Sequence, residues 1–236
     1  MWPDLDAQLA RLMKQFIPLE DGKSWHVHTV SDNALISRYP IRWQGGELAV
    51  SYPLPQLDLP RFHYGFASAV VDLPERFGDT DLLAAALHNK SGAAAEYVRL
   101  RQMHSDASMQ PFKTLLSGNI IDEEMFGPDF RIDWDGTDMA DVRPSHNGLD
   151  REYYTWRNDN MQFKPSALDR IIFTDSVMSV RRRFVLNTMT MSADDLATLG
   201  LQQSDVLYGG DPNYYDHLPL VADFAIDSAS LEEESL

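Results

Sequence analysis

The sequence predicts an α+β protein in which packed, mostly antiparallel sheets carry helices on the outside. Three observations point there. Strand-like runs recur along the 236 residues with few helical stretches between them. Several of those runs alternate or are short and apolar, with turn residues at their ends. Hydrophobic residues make up 44% and charged residues 24%, an ordinary balance for a protein that buries a core. No repeat and no linker interrupts the pattern, so residues 1–226 read as one domain followed by an acidic tail, 227–236.

The elements follow in order. Leu5, Leu9, Leu12, Met13 and Phe16 recur at spacings of three and four, which predicts a helix with Asp4 or Asp6 placed to cap its start. Residues 25–30 alternate as a strand, with Trp25, Val27 and Thr29 on one face and His26 and His28 on the other. The turn Ser31-Asp32-Asn33 leads to a short apolar strand over 34–36. Pro40, Pro53, Pro55 and Pro60 make residues 40–62 loop and edge strand. Runs at 66–73 and 82–87 are joined by a turn containing Gly78-Asp79, as a hairpin. Residues 93–103 read as helix and 112–116 as a short strand. Residues 122–150, rich in Asp, Gly and Pro, read as a long surface loop. Strand-like runs return at 153–156, 167–173, 177–186 and 218–226. A short helix over 192–199 has Ser192 as its cap and Asp195 at the capping-box position.

Composition restricts the chemistry. Twenty Lys and Arg against 36 Asp and Glu give a net charge of −16, so the chain has no global basic footprint for duplex DNA. The absence of cysteine removes disulfides, thiolate metal sites and cysteine nucleophiles. Any metal would be held by oxygen or imidazole ligands, which suits hard cations such as magnesium or manganese. No run of 18 apolar residues predicts a transmembrane helix, and the first residues lack the order of a signal peptide. As it stands the sequence reads as cytoplasmic.

Two segments carry candidate chemistry. Tyr215-Asp216-His217-Leu218-Pro219 places an acid and an imidazole at the entry to an apolar strand, where both can face one cleft if the backbone turns. Leu168-Asp169-Arg170 precedes a second apolar run, and Asp169 is a candidate to accept from His217 and fix its tautomer. His88, at the end of an apolar strand, is followed by Lys90-Ser91-Gly92, a weak signal for a phosphate. For the first two the competing reading is an ordinary surface pair, and for His88 it is a satisfied structural histidine. Asp133, Asp135 and Asp138 have a spacing that could suit calcium, but a solvated acidic loop reads better and the EF-hand pattern is incomplete.

Taken in order, "NALISRYPI", "ALHNKS", "LSGNIID", "YTWR", "LDRIIF" and "YDHLPLVADF" resemble the endonuclease/exonuclease/phosphatase family, the metal-dependent fold of pancreatic deoxyribonuclease and the abasic-site endonucleases. The resemblance runs from about residue 32 to 224. It implies a four-layer sandwich of two mostly antiparallel sheets flanked by helices, and hydrolysis of phosphate esters by water with Mg2+ or Mn2+. It also implies roles. Asp216 would stand near the metal or its water. His217 would contact the scissile phosphate as base or as transition-state stabiliser, with Asp169 orienting it. His88 would hydrogen-bond the phosphate, and Arg38 and Lys90 are the basic residues nearest these motifs.

The pattern departs from the family in two main places. The early strands, including the Glu that is a principal metal ligand, have no counterpart ahead of the first helix, which suggests an N-terminal truncation or a start upstream of Met1; an upstream extension could carry an export signal. The Gly-Asp-Phe-Asn motif is altered: either Asn119 occupies the slot of its Asp, or that segment is deleted. Two functions follow. One is a metal-dependent phosphodiesterase, nuclease or phosphatase acting on a small phosphoester or a short nucleic acid. The other is a catalytically inactive relative that binds or scaffolds.

Overall fold

The computed structural model describes residues 4–47, 65–87, 110–120, 123–148, 152–158, 164–206 and 216–226. The chain divides into two compact units, Met1–Met103 and His104–Leu236. The class is α+β, as the sequence predicts. The strands form four small antiparallel sheets, and among the described residues these do not make a clear four-layer sandwich. No helix among these residues is long and apolar enough to cross a membrane.

In the first unit, helix α1 spans Leu5–Phe16 and lies against strand β1, His26–Val30. Asp4 stands at the N-cap but makes no side-chain cap bond. Asp6 is drawn away instead, its Oδ1 accepting from Thr29 Oγ1 at 2.5 Å. Strand β1 pairs with β2, Asn33–Ser37, through the Ser31-Asp32 turn. A second sheet orders β3 (Ile41–Glu47), β4 (Phe66–Asp72) and β5 (Asp81–Leu87) with β4 in the centre. The β4–β5 hairpin pairs Asp72 with Asp81 across the expected turn.

The period of two decides what the central strand buries. Ala67, Ala69 and Val71 point to one face and are buried. Two hydrogen bonds tie the first sheet to the second: His28 Nε2–H donates to the Gly45 carbonyl at 2.7 Å, and Asn33 Nδ2 donates to the Gly65 carbonyl at 3.0 Å. His28 is therefore a buried, satisfied histidine within the sheet packing.

In the second unit, β8 (Met178–Val185) and β9 (Leu220–Ile226) form a ribbon with an irregularity between Val180 and Arg182. A two-residue ladder joins β6, Ala140–Asp141, to β7, Ile172–Phe173. Val185, Val206 and Leu218 are the apolar centre, packed by Tyr154, Leu186, Met189 and Leu220. Helix α4, Ala193–Leu199, starts as expected: Ser192 Oγ accepts from Asp195 N–H at 3.1 Å.

Three sequence expectations change here. Residues 112–116 belong to helix α2, Gln110–Ser117, not to a strand. So short a stretch, with only Phe112, Leu115 and Leu116 apolar, fits either period, and Pro111 at its start suits a first helical turn. Of the runs at 153–156 and 167–173, only Ile172–Phe173 forms a ladder; Trp156 makes isolated bridges, to Ser166 and to His217. Pro165 and Pro219 flank the bridging positions and carry no N–H to continue a ladder. The 122–150 loop contains a short helix, α3 (Glu123–Phe126), and strand β6. In that loop Asp133 is buried and accepts from Asp175 N–H at 3.1 Å and from Ser176 Oγ–H, which makes it a structural tie. The expected helix over 93–103, the acidic tail 227–236 and the proline-rich stretch 48–64 lie outside the described residues.

Gly46 shows how tightly β3 sits on β4. Its φ is +147°, and a Cβ there would fall on the Phe66 carbonyl oxygen and within 2.9 Å of Val30 Cγ2. Gly46→Ala is expected to cost about 1–3 kcal/mol. The check is the shift in the urea unfolding midpoint, with Gly22→Ala (φ +69°, open space) as the milder control.

Candidate functional site

The site grows from one extended segment, residues 154–157, flanked on both sides. Trp156 bridges antiparallel to Ser166 and to His217. Trp156 and Ser166 exchange N–H···O bonds at 3.0 Å each way. On the other side, Leu218 N–H donates to the Thr155 carbonyl at 2.7 Å and Arg157 N–H to the Asp216 carbonyl at 3.0 Å. These bonds fix the 216–218 stretch and the 166–169 stretch on either side of residues 154–157.

Thr155 makes the cross-link. It is 1% exposed, and its Oγ1 accepts from the backbone N–H groups of Leu168 at 3.0 Å and Asp169 at 2.8 Å. A hydroxyl can accept two such bonds and still donate one; here it also bonds the Asp169 carboxylate. The result is a pair of residues 48 apart in sequence. His217 Nδ1–H donates to Asp169 Oδ2 at 2.9 Å, with Oδ1 at 3.1 Å. Asp216 joins from the side, its Oδ1 4.0 Å from His217 Nε2 and its Oδ2 accepting from Trp156 Nε1–H at 2.9 Å.

The charges respond to this arrangement. Partial burial pushes the Asp169 carboxyl up, but hydrogen bonds from His217 and Thr155 and the charge of His217 outweigh it and hold it below its ordinary value. The hydrogen bond to Asp169 raises His217; partial burial opposes it, and the charges of Asp169 and Asp216 add to it, leaving the imidazole above its ordinary value. The His217 side chain is 52% exposed, so Nε2 faces a solvent-accessible surface and not a closed cavity. With Nδ1–H committed to a carboxylate, neutral His217 presents an Nε2 lone pair and protonated His217 presents an N–H donor.

Of the other expected residues, two are described outside the dyad's hydrogen bonds and two are not described. Asn119 lies on the exposed turn after α2, its N–H donating to Ser117 Oγ at 3.1 Å, and none of the hydrogen bonds that build the dyad reaches it. Arg38 is exposed between β2 and β3 of the first unit. His88 and Lys90 lie outside the described residues. For a divalent cation, the described residues offer Asp216 Oδ1. No group of three or more His, Asp or Glu side chains among them is placed to hold a metal ion, whereas Mg2+ takes about six oxygen ligands. As described, these residues do not make a cation site by themselves, and no step below is routed through one.

Sequence reasoning found the "YTWR" motif but gave Thr155 and Trp156 no part. It also missed His146, fully buried behind the site. His146 Nε2–H donates to the Tyr154 carbonyl at 2.8 Å, and Asn187 Nδ2 donates to His146 Nδ1 at 3.2 Å. The imidazole also meets the Tyr154 ring edge-on at 4.3 Å, which anchors the start of the 154–157 segment. No periodicity surrounds His146, so no local signal marks it.

Comparison with protein-family models, with curated proteins and with solved structures finds no match for this chain.

The dyad has a pH window. The His217 contribution is complete below its unfolded value near about 6.5 and is lost as pH rises through its raised folded value. The Asp169 contribution is complete above about 4 and is lost as pH falls through its depressed folded value. The ion pair is thus at full strength from about pH 4 to about 6.5. Asp169→Asn is expected to lower the titration midpoint of His217, read by the NMR shift of its ring protons. An unchanged midpoint would mean the two groups are not coupled in solution.

Proposed function

We propose that this chain is a hydrolase of phosphate esters whose proton-handling group is His217, oriented by Asp169 and flanked by Asp216. The observation that carries the reading is the 2.9 Å contact between His217 Nδ1 and Asp169 Oδ2. It supports a resemblance in which these two residues, far apart in sequence, were expected to meet, and with it a relation to the endonuclease/exonuclease/phosphatase family.

The chemistry of the chain's own residues is coherent with that reaction. Attack of water on phosphorus forms one P–O bond as the ester P–O bond breaks; it builds negative charge on the phosphoryl oxygens, releases a proton from the water, and the leaving alkoxide departs as the alcohol after taking up a proton. Asp169 holds the imidazole in the tautomer that points Nε2 outward. Neutral His217 can then take the water proton. Protonated His217 can instead donate to a phosphoryl oxygen, and its raised proton affinity favours this second role near neutral pH. The half-exposed imidazole is reachable by a small phosphoester or the end of a short nucleic acid. A net charge of −16 opposes a long duplex.

A second reading, a catalytically inactive binder on the same scaffold, draws on one observation: Asp216 Oδ2 is already taken up by the Trp156 indole. That bond ties one oxygen of this carboxylate to the protein, and no group of three or more metal-ligating side chains is found among the described residues, where the resemblance implies Mg2+ or Mn2+ as cofactor.

The test is hydrolysis of bis(4-nitrophenyl) phosphate with added Mg2+ or Mn2+, comparing the natural chain with His217→Ala. Loss of the imidazole is expected to lower kcat by about 10²–10⁴-fold. Equal, measurable rates in both proteins would remove His217 from the reaction. No turnover by the natural chain, with saturable binding of a phosphoester, would favour the inactive binder.

A further inference from the structure

The first unit holds a cleft of about 340 Å³ between helix α1 and strands β1 and β3. That size suits a small organic ligand. Ala7 and Ala10 line it from the helix, and their short side chains leave the room. Trp25, Val27 and Ile41 supply apolar wall. The Trp25 indole N–H already donates to the Ile17 carbonyl at 2.8 Å, so this residue offers a ligand its ring and not its donor.

Three polar side chains line the same cleft with hydrogen-bonding capacity to spare. Asp6 Oδ1 accepts from Thr29 Oγ1–H, which turns the carboxylate toward β1 and leaves Oδ2 without a partner among the described residues. The His26 imidazole and the Gln44 amide make no hydrogen bond among those residues either. An irregularity in β3 brings Gln44 here. On a regular strand Ile41 and Gln44, three apart, face opposite sides. The pairing of β3 with β4 slips by one residue between Ile41 and Trp43, and the extra residue returns both side chains to one cleft.

This lining selects its ligand. A carboxylate only accepts, so the group facing Asp6 must be an N–H or O–H donor. Gln44 and His26 each bring both donor and acceptor capacity, which fits the mixed edge of a heterocycle. An aromatic wall fits a flat ring. A simple cationic amine would satisfy Asp6 but leave Gln44 and His26 unused, and the N-terminal half of a helix disfavours a nearby positive charge.

We propose that this cleft binds an amino-bearing nucleobase, with the exocyclic NH2 on Asp6, the ring against Trp25, and Gln44 and His26 on the remaining edge. The site is independent of the chemistry at His217 and does not rest on it.

The experiment is an NMR titration of the full chain, following the Trp25 indole N–H and the Gln44 side-chain amide. The probes are two pairs, cytidine with uridine and adenosine with inosine. Within each pair an amino group is exchanged for a carbonyl oxygen, which a carboxylate repels. Cytidine or adenosine is expected to give saturable shifts and to bind at least about tenfold more tightly than its partner. A cytidine trinucleotide beside free cytidine separates a base on a strand from a free nucleoside, and saturation by either supports the site.

Asp6→Asn keeps an oxygen for Thr29 and adds a donor, so the preference within each pair should shrink to about threefold or reverse. Ala10→Leu fills the cleft and should abolish the shifts. If that variant does not fold, Gln44→Ala, on an exposed side chain, decides, with weaker binding of the preferred nucleoside expected. No saturable shift with cytidine or adenosine overturns the proposal. Equal affinity within both pairs, an undiminished preference in Asp6→Asn, or unchanged binding in Gln44→Ala does so as well. Saturation by butylammonium as tight as by the nucleosides would make this a cation site instead and overturn it too.

Discussion

The candidate site depends on a single buried hydroxyl. Thr155 sits where three stretches of chain meet, and its oxygen takes the backbone N–H groups of Leu168 and Asp169 while its carbonyl takes that of Leu218. Without that oxygen, two N–H groups turned toward the interior would lack partners, at about 1–3 kcal/mol each. The same bonds bring Asp169 and His217 into register. Stability and site geometry are thus coupled at one residue, because the bonds that satisfy the buried backbone also aim the carboxylate.

Around that point the segment 154–157 divides its work by direction. Thr155 turns inward and seats Asp169, while Trp156 turns toward Asp216 and seats its carboxylate. Behind them, His146 and Asn187 close a buried polar network in which both imidazole nitrogens are satisfied. Asn187 Oδ1 accepts from Met189 N–H at 3.2 Å, which fixes its amide orientation and hence the direction of the bond to His146. A network with every group paired is rigid, and rigidity is what a half-exposed dyad needs to keep its geometry.

What the sequence disclosed, and what it hid, follows from how local each signal is. Helix α1 and the pair β1–β2 were legible because period and turn chemistry are local, as was the β4–β5 hairpin with Gly78-Asp79 at its turn. The Ser192 cap of α4 was legible for the same reason. The Asp169–His217 contact was also anticipated, from an ordered set of motifs and not from spacing. Helix α2 was misread because three apolar residues in a five-residue stretch fit two periods. Thr155, Trp156 and His146 escaped because their roles exist only through partners 13, 60 and 41 residues distant. The clear sandwich implied by resemblance is not seen among the described residues, which form four small antiparallel sheets, with Pro165 and Pro219 beside the isolated bridges at the site.

The claim on which the functional reading turns is that Asp169 holds His217 as its Nδ1–H tautomer, leaving Nε2 to face outward. Nitrogen-15 NMR of the imidazole above its titration midpoint measures this directly. The account predicts a protonated Nδ1 and an unprotonated, pyridine-like Nε2. A protonated Nε2 with a bare Nδ1, or rapid averaging of the two, would contradict it.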